Sequence, residues 1–247
     1  MHCSRPWWTD WPEGACLFER PHHRRIAAVL QALDAEVLAA SACLFGGGTA
    51  MALRYGEYRE SVDIDFLVSK VDGYRHLRQR LTGPDGISAI TRAGHAIKQT
   101  REVRADQYGI RTMLQADGAD IKFEIVLEGR IELDAPGPDD RLCGVATLTP
   151  LDMATSKLLA NSDRWRDDAV MSRDLIDLAM MAPPKALMER AMAKAQGAYG
   201  ESVATDLASA VEDLRARPHR LYQCMQAMAM TTVSKAALWA RIKALVR

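Results

Sequence analysis

The stretches that decide the fold of this chain are FGGGTA, residues 45–50, and RESVDIDF, residues 59–66. The first sets three glycines between a short apolar run and a helix-like segment, which predicts a strand, a tight turn and a helix. The second alternates acidic and apolar residues, which predicts a strand whose two sides differ. Its aspartates, Asp63 and Asp65, are expected to share one face, with the apolar residues between and after them in the core.

These two stretches predict a site for a divalent cation and a phosphate. The N–H groups of Gly47 and Gly48 and the start of the following helix are suited to phosphate oxygens, and Thr49 adds a hydroxyl. Two neighbouring carboxylates repel unless a cation separates them, and Mg²⁺ (or Mn²⁺) binds carboxylates together with substrate phosphates. Ser61 precedes Asp63 by two residues, so its hydroxyl faces the same side, where it either binds phosphate or hydrogen-bonds the strand start.

A third carboxylate lies further along the chain, in DIKFEIV at residues 120–126. Alternation puts Lys122 and Glu124 on one face and the apolar residues on the other. If this strand neighbours the aspartate strand, Glu124 becomes a third metal ligand. Otherwise it is an ordinary solvent-facing glutamate.

The overall pattern predicts an α/β (α+β) protein with a mixed β-sheet followed by an all-helical region. We expect an N-terminal arm over residues 1–24, a sheet-containing lobe over residues 25–140 and a helical lobe over residues 141–247. Within the sheet lobe, helical spacing predicts one amphipathic helix over residues 25–40. The active site is expected in the cleft between the two lobes.

Composition narrows the class of protein. The chain has 247 residues, no formal net charge, 48% hydrophobic and 26% charged residues, which is typical of a globular protein and unlike a strongly basic nucleic-acid binder. It has no apolar run of about 18 residues and no secretory signal pattern, so we expect no membrane segment and a cytoplasmic location. The five cysteines have no paired spacing, which predicts reduced thiols. His22 and His23 lack zinc-like partners and are expected at the surface.

Charge is unevenly distributed. From residue 185 to the end there are ten Lys or Arg residues and five Asp or Glu residues, a surplus of five positive charges. This surplus marks either a solvated helical surface or a face that binds a polyanion such as RNA.

Residues 45–50 and 59–66 together resemble the signature of DNA polymerase β-like nucleotidyltransferases, and more narrowly the AbiEii/AbiGii toxin branch. That branch has a glycine-glycine-threonine turn and an arginine-x-serine-x-aspartate-x-aspartate-phenylalanine strand. Its helical motifs are similar to KLLA at residues 157–160, with an arginine soon after, and RDLIDL at residues 173–178.

The resemblance implies roles for the matched residues. The strand aspartates would hold Mg²⁺, which binds the triphosphate of an NTP, and Lys157 would reach the triphosphate from the helical lobe. Asp174 would orient that lysine or assist the acceptor hydroxyl. For Asp177, on the same side of its helix, a surface or salt-bridge role stands beside a catalytic one. The arginine of the motif is either Arg164 or Arg166.

The function implied is transfer of a nucleoside monophosphate from an NTP to an acceptor hydroxyl, with release of pyrophosphate. The resemblance also implies the toxin of a bacterial toxin–antitoxin pair, with an antitoxin as partner and RNA, the tRNA 3′ end first, as acceptor. Two alternatives stay open: a protein or small-molecule (antibiotic) acceptor, and an inactive nucleotide-binding scaffold.

Overall fold

The computed structural model describes residues 18–246 of the chain, so the expectations for residues 1–17 lie outside the described residues. The helices are α1 (Pro21–Ala32), α2 (Ala35–Ala40), α3 (Gly47–Arg54), α4 (Val71–Leu81), α5 (Pro150–Arg164), α6 (Arg173–Met181), α7 (Lys185–Tyr199), α8 (Ser202–Ala216), α9 (Arg220–Ala227) and α10 (Lys235–Ala244). The strands are β1 (Leu44–Gly46), β2 (Ile64–Val68), β3 (Lys98–Gln99), β4 (Arg104–Ala105), β5 (Gly109–Ala116), β6 (Ala119–Leu127), β7 (Arg141–Leu142) and β8 (Val145–Ala146).

A mixed sheet forms the first half of the described chain and confirms the predicted fold class. Its order is β1-β2-β6-β5-β3, with β4 also paired to β5. The β2 and β6 strands run parallel, and the other neighbours are antiparallel. The β5–β6 hairpin turns at Asp117 and Gly118, both with positive φ, as the Asp-Gly pair of a tight hairpin turn requires.

The two faces of the sheet differ as the alternation predicts. Ile64 and Phe66 of β2 are fully buried, and the Phe66 ring packs between Phe45 and Phe123 at centroid distances of 5.5 and 5.7 Å. Helix α1 contacts β5, and helices α3 and α4 contact β2. The polar side chains of β5 and β6, among them Lys122, point to the opposite face.

The second half is helical from Pro150 onward. Helix α5 contacts α6, α7 and α8, and α10 packs on α6. Helix α3, which follows the glycine turn, contacts both α5 and α6, so the turn lies against the helical region. Residues 141–146 form the β7–β8 hairpin, which corrects the expectation that the helical region starts at residue 141. Within residues 18–246 no helix is both long and apolar enough to cross a membrane.

Several local expectations are wrong at element boundaries. The helix predicted over residues 25–40 is broken at Leu33, which is extended, and Asp34 caps α2 by accepting hydrogen bonds from two backbone N–H groups. Helix α3 begins at Gly47 with Gly46 as its cap residue, so Thr49 is not the cap.

The expectation that the cysteines are all reduced is also wrong. Cys143 is disulfide-bonded, while Cys43 and Cys224 are free thiols and are buried.

We predict that Phe66→Ala destabilises the fold by about 3–5 kcal/mol, because it removes a fully buried ring and leaves a cavity between two other aromatic rings. Denaturant unfolding measures the loss. Val62→Ala, at an exposed position four residues earlier, is the control and should change the unfolding free energy little. Equal effects of the two substitutions would contradict the assignment of the core face.

Candidate active site

The glycine turn lies directly against the second aspartate. Strands β1 and β2 pair so that Gly46 is opposite Asp65. Gly47 has φ of 67°, and a Cβ placed there would lie 2.5 Å from Asp65 Oδ2. Only glycine therefore allows the backbone to follow this path and to approach the carboxylate so closely. The structure thus places the turn beside the acidic strand, as the sequence predicts.

The next glycine makes room for a buried arginine. A Cβ at Gly48 would overlap the guanidinium of Arg59, which is almost fully buried. Arg59 donates from Nε to Asp177 Oδ1 at 2.7 Å and from Nη2 to Asp177 Oδ2 at 3.0 Å. The Tyr58 hydroxyl donates to Asp177 Oδ1 at 2.6 Å. The two hydrogen bonds between Arg59 and Asp177 join the segment before β2 to helix α6.

Lys157 continues the same buried network. Its Nζ lies 2.6 Å from Asp177 Oδ2 and 3.0 Å from Asp174 Oδ1. Arg164 donates to Asp174 from Nε at 2.7 Å and from Nη2 at 3.0 Å. Asp177 is fully buried, so a surface role for it is wrong. Of the two candidate arginines, Arg164 joins the network and Arg166 stacks on Trp165.

Mutual compensation keeps this network charged. Burial alone would raise the pKa of Asp174 and of Asp177, but the neighbouring Lys157, with Arg164 at Asp174 and Arg59 at Asp177, holds both pKa values below the ordinary range. Burial alone would lower the pKa of Lys157, and the two aspartates outweigh it and raise that pKa. Three cations and two carboxylates leave one net positive charge beside the candidate site.

A cavity of about 260 Å³ lies between the sheet and the helical region. It brings together most of the residues that the sequence singles out: Gly47, Gly48, Asp65, Lys157, Asp174 and Arg164. Thr49, Ser61, Asp63 and Glu124 do not line it. Residues from the turn, from β2 and from two helices thus meet around one space, although the first and the last of them, Gly47 and Asp174, are more than 100 positions apart in the chain.

Thr49 and Ser61 do not line the cavity but hydrogen-bond to each other next to it. The Thr49 hydroxyl is buried and donates to Ser61 Oγ at 2.8 Å, and it does not face the cavity. The Ser61 N–H donates to His23 Nε2 at 3.1 Å, and His23 Nδ1 bonds Glu57 at 2.7 Å. Burial lowers the pKa of His23 despite Glu57, which keeps the ring neutral so that Nε2 can accept. This chain of bonds fixes the segment that leads to Asp63.

His23 therefore corrects the expectation of a surface histidine in an N-terminal arm. It lies in helix α1, which begins at Pro21, and its side chain is fully buried. The sequence signal for this earlier start is the proline itself, because proline favours the first turn of a helix. Sequence reasoning also assigned no role to Arg59 or Tyr58, whose partner Asp177 is more than 100 residues away.

Asp65 has nearby negative charge that is only partly compensated. The parallel pairing of β2 with β6 puts Glu124 directly opposite Asp65 on the same face. Burial, followed by repulsion from Asp63 and Glu124, raises the pKa of Asp65 to about 6, against the attraction of Lys122 and Lys157. Glu124 itself is held by Arg111 Nε at 2.5 Å and by Lys122 Nζ at 2.6 Å.

The donor set fits a hard divalent cation. Asp63 and Asp65 offer carboxylate oxygens. Burial, and after it repulsion from Asp63 and Glu124, raises the pKa of Asp65, so a bound cation would stabilise its ionised form. In residues 18–246 no group of three or more His, Cys, Asp or Glu residues is arranged to hold a metal ion unaided. Two carboxylates with phosphate oxygens from a substrate match the way Mg²⁺ is bound, since it keeps few protein ligands.

We predict that Asp65→Asn stabilises the metal-free protein at pH 8 by about 3 kcal/mol. The folded-state pKa of Asp65, about 6, lies above its ordinary value of 3.8, so folding disfavours the ionised form. The wild type therefore loses stability relative to the variant as the pH rises from about 4 to 6, and the difference stays constant above that. Thermal unfolding in chelator across this range measures it, and a variant no more stable than wild type at pH 8 would refute the interpretation.

We predict the opposite sign for Asp177→Asn, which leaves Arg59 and Lys157 without their shared counter-charge. The expected loss is about 3–5 kcal/mol, the usual consequence of removing one partner of a buried ion pair. Glu212→Gln is the matched control, because it removes the same charge from an exposed pair with Arg215 and should cost less than about 1 kcal/mol. Chemical unfolding of both variants decides; similar losses would contradict a structural role for the network.

Comparisons with known proteins show which fold and which family this chain shares. None of the curated proteins matches the chain in sequence. Two crystal structures from Helicobacter pylori share the fold: a candidate nucleotidyltransferase and JHP933, each 19% identical, with a TM-score of 0.51 and covering 93% of this chain. The match covers 96% of the first protein and 94% of the second.

The model of the family described as "Nucleotidyl transferase AbiEii toxin, Type IV TA system" matches residues 28–245. This span includes the glycine turn, Asp63 and Asp65, and both helical motifs. The chain belongs to the AbiEii nucleotidyltransferase toxin family of type IV toxin–antitoxin systems.

Proposed function

We propose that this nucleotidyltransferase moves a nucleoside monophosphate from an Mg²⁺-bound NTP to the terminal hydroxyl of an RNA, with the tRNA 3′ end as the first candidate. A bond forms between the acceptor oxygen and the α-phosphorus while the bond from the α-phosphorus to the bridging oxygen breaks. Pyrophosphate leaves, and the hydroxyl proton goes to water. The observation that carries the proposal is that Asp65, the glycine turn and Lys157 line one cavity.

Each side of the cavity supplies one part of the chemistry. Asp65, which lines the cavity, and Asp63, two residues earlier, would hold Mg²⁺ (or Mn²⁺), which when bound neutralises charge on the triphosphate and on the entering oxygen. Gly47 and Gly48 also line the cavity, and their backbone N–H groups would bind phosphate oxygens of the NTP, as at other turns that precede a helix. Lys157 is the catalytic cation on the helical side, and it acts on the triphosphate as a point charge.

Asp174 holds that cation in place. Its two oxygens are shared between Lys157 and Arg164, so the lysine ammonium and the guanidinium keep a fixed spacing at the wall of the cavity. Glu124, opposite Asp65, is proposed as a third ligand, for which its carboxylate must exchange Arg111 or Lys122 for the metal. Thr49 and Ser61 are proposed to position the strand that carries the aspartates.

The alternatives are less well supported. A small-molecule acceptor that carries positive charge requires an acidic pocket, whereas the cavity is lined by Lys157, Arg164 and Arg130 as well as by acids. An inactive scaffold has no chemical reason to keep Asp65 where burial and two acids oppose its ionisation. A protein acceptor is an outcome of the experiment below. The family implies an antitoxin as partner. With RNA as the acceptor, we propose that the reaction takes place in the cytoplasm.

We predict that Asp63→Ala abolishes transfer of label from α-³²P-labelled NTP to RNA, with a loss of at least about 10³-fold. Asp63 is chosen because its side chain makes no hydrogen bond or ion pair with any residue between 18 and 246. Its removal therefore tests catalysis without removing a contact that stabilises the fold. Lys157→Ala should also lose activity, but it leaves two buried carboxylates short of a partner. Arg190→Ala, on an exposed face of α7, is the control and should keep full activity.

The assay is incubation with each labelled NTP and either total RNA or total protein, followed by measurement of which fraction carries label. Label on protein alone would replace RNA by a protein acceptor, and full activity of Asp63→Ala would defeat the site assignment. As a readout independent of turnover, Mg²⁺ with a non-hydrolysable NTP analogue should raise the melting temperature of the wild type and not that of Asp63→Ala.

A further inference from the structure

A row of polar residues begins at Asp65 in the candidate site and crosses the sheet to its far edge. Pairing places Asp65 opposite Glu124, Glu124 opposite Arg111, and Arg111 opposite Arg104. Residues paired in this way share one face of a sheet, so all four lie on the same side. At about 4.8 Å per strand, the row runs roughly 14 Å from Asp65 to Arg104.

This face of the sheet is open beyond the site and presents positive charge to solvent. The side chains of Arg111 and Lys122 are 41% and 45% exposed, whereas Glu124, which both of them hold, is only 12% exposed. Lys98 and Arg104 are also exposed on this face. Glu124 therefore lies beneath the cations. An approaching molecule meets the four exposed cations together with two exposed carboxylates, Asp106, which pairs with Arg111 and is 56% exposed, and Asp120.

Arg104 and Arg111 form a like-charge pair directly across two strands. Arg111 has Glu124 and Asp106 as partners. The Arg104 guanidinium, in contrast, has no hydrogen bond or ion pair to any residue between 18 and 246. Like charges at opposed positions destabilise a sheet, and an anion bound between them removes that cost. A phosphate group fits this requirement because arginine binds it with two parallel hydrogen bonds.

An exposed aromatic ring stands at the same edge. Tyr108, in the loop between β4 and β5, is 66% exposed, and its N–H is fixed by Asp106 Oδ1 at 2.7 Å. A second cavity, of about 610 Å³ and lined by Tyr108, Arg111 and Glu124, lies beside it. This cavity shares Val126, Glu128 and Arg130 with the cavity that contains Asp65 and Lys157. The two spaces are therefore neighbours with a common wall.

We infer that this open face of β4, β5 and β6 is the binding surface for the single-stranded 3′ end of the acceptor RNA. A base of the acceptor stacks on Tyr108, the phosphate that follows lies between Arg104 and Arg111, and the chain end reaches past Arg130 to Asp65. The inference rests on the proposed function and goes further, because it assigns the acceptor to the sheet face and not to the helical surface that carries the surplus of basic residues.

The chemistry favours a single strand over other polyanions. A duplex keeps its bases stacked and offers only backbone, so it has no use for an isolated tyrosine beside paired arginines. A flexible strand exposes its bases, and stacking on an aromatic side chain contributes about 1–3 kcal/mol per base while phosphates meet arginine. An acidic protein segment would use the arginines and leave the tyrosine without a role.

Two variants and two controls test this surface with a fluorescent single-stranded RNA in the absence of NTP. We expect Tyr108→Ala to weaken binding roughly 5- to 100-fold and Tyr108→Phe, which keeps the ring, to bind as the wild type. Arg104→Glu should weaken binding about 10-fold and reduce the salt dependence by about one charge. Arg190→Glu, the same change at an exposed site on α7, should bind as the wild type.

Steady-state transfer separates this inference from the proposed function. Tyr108→Ala and Arg104→Glu should raise KM for RNA by similar factors while KM for the NTP stays constant. Wild-type RNA affinity and KM in both variants, or losses only in Arg190→Glu, would overturn the inference. Loss in Arg104→Glu with none in Tyr108→Ala would also overturn it, in favour of an acidic partner. If the wild type binds RNA through this face and labels none, the proposed function fails and the surface stands.

Discussion

The structure depends on one buried charge network, in which Asp177 and Asp174 share Lys157 and are closed at the ends by Arg59 and Arg164. Taking these charges out of water is unfavourable, so the network holds only if every member keeps its partners. Arg59 comes from the segment before β2, and the other members come from α5 and α6. The network therefore joins the acidic strand to the helical region at a fixed distance, with the cavity beside the junction.

The glycines of the turn fit this arrangement for two different reasons. At Gly47 the backbone takes a positive φ and lies against the Asp65 carboxylate, and at Gly48 the missing side chain leaves space for the Arg59 guanidinium. One glycine thus serves the reacting centre and the other serves the network that supports it. The same motif residues that suggest phosphate binding from sequence are also required for packing.

The aspartates on the helical side of the site and the aspartate on its sheet side have opposite pKa shifts. Cationic partners lower the pKa values of Asp174 and Asp177, whereas burial, with added repulsion from Asp63 and Glu124, raises the pKa of Asp65. A carboxylate held in this way favours a bound cation, and the protein gives up some stability to keep it. The row of residues that begins at Asp65 then changes from acidic to basic across the sheet, which suits one molecule at the metal and a second along the strands.

The sequence by itself determined the local features: the strand with Asp65, which begins one residue after Asp63, its buried apolar face, the mixed α/β class and the family motifs. These follow from periodicity, turn chemistry and motif spacing, which act over a few residues. It was wrong about His23 and about the break at Leu33, because burial depends on what packs against a segment, and of the roles left open for Asp177 the structure shows a buried salt bridge. Only the tertiary structure decided that Arg59 meets Asp177 and that Arg104 faces Arg111, because strand register and the docking of α5 and α6 set contacts between residues far apart in the chain.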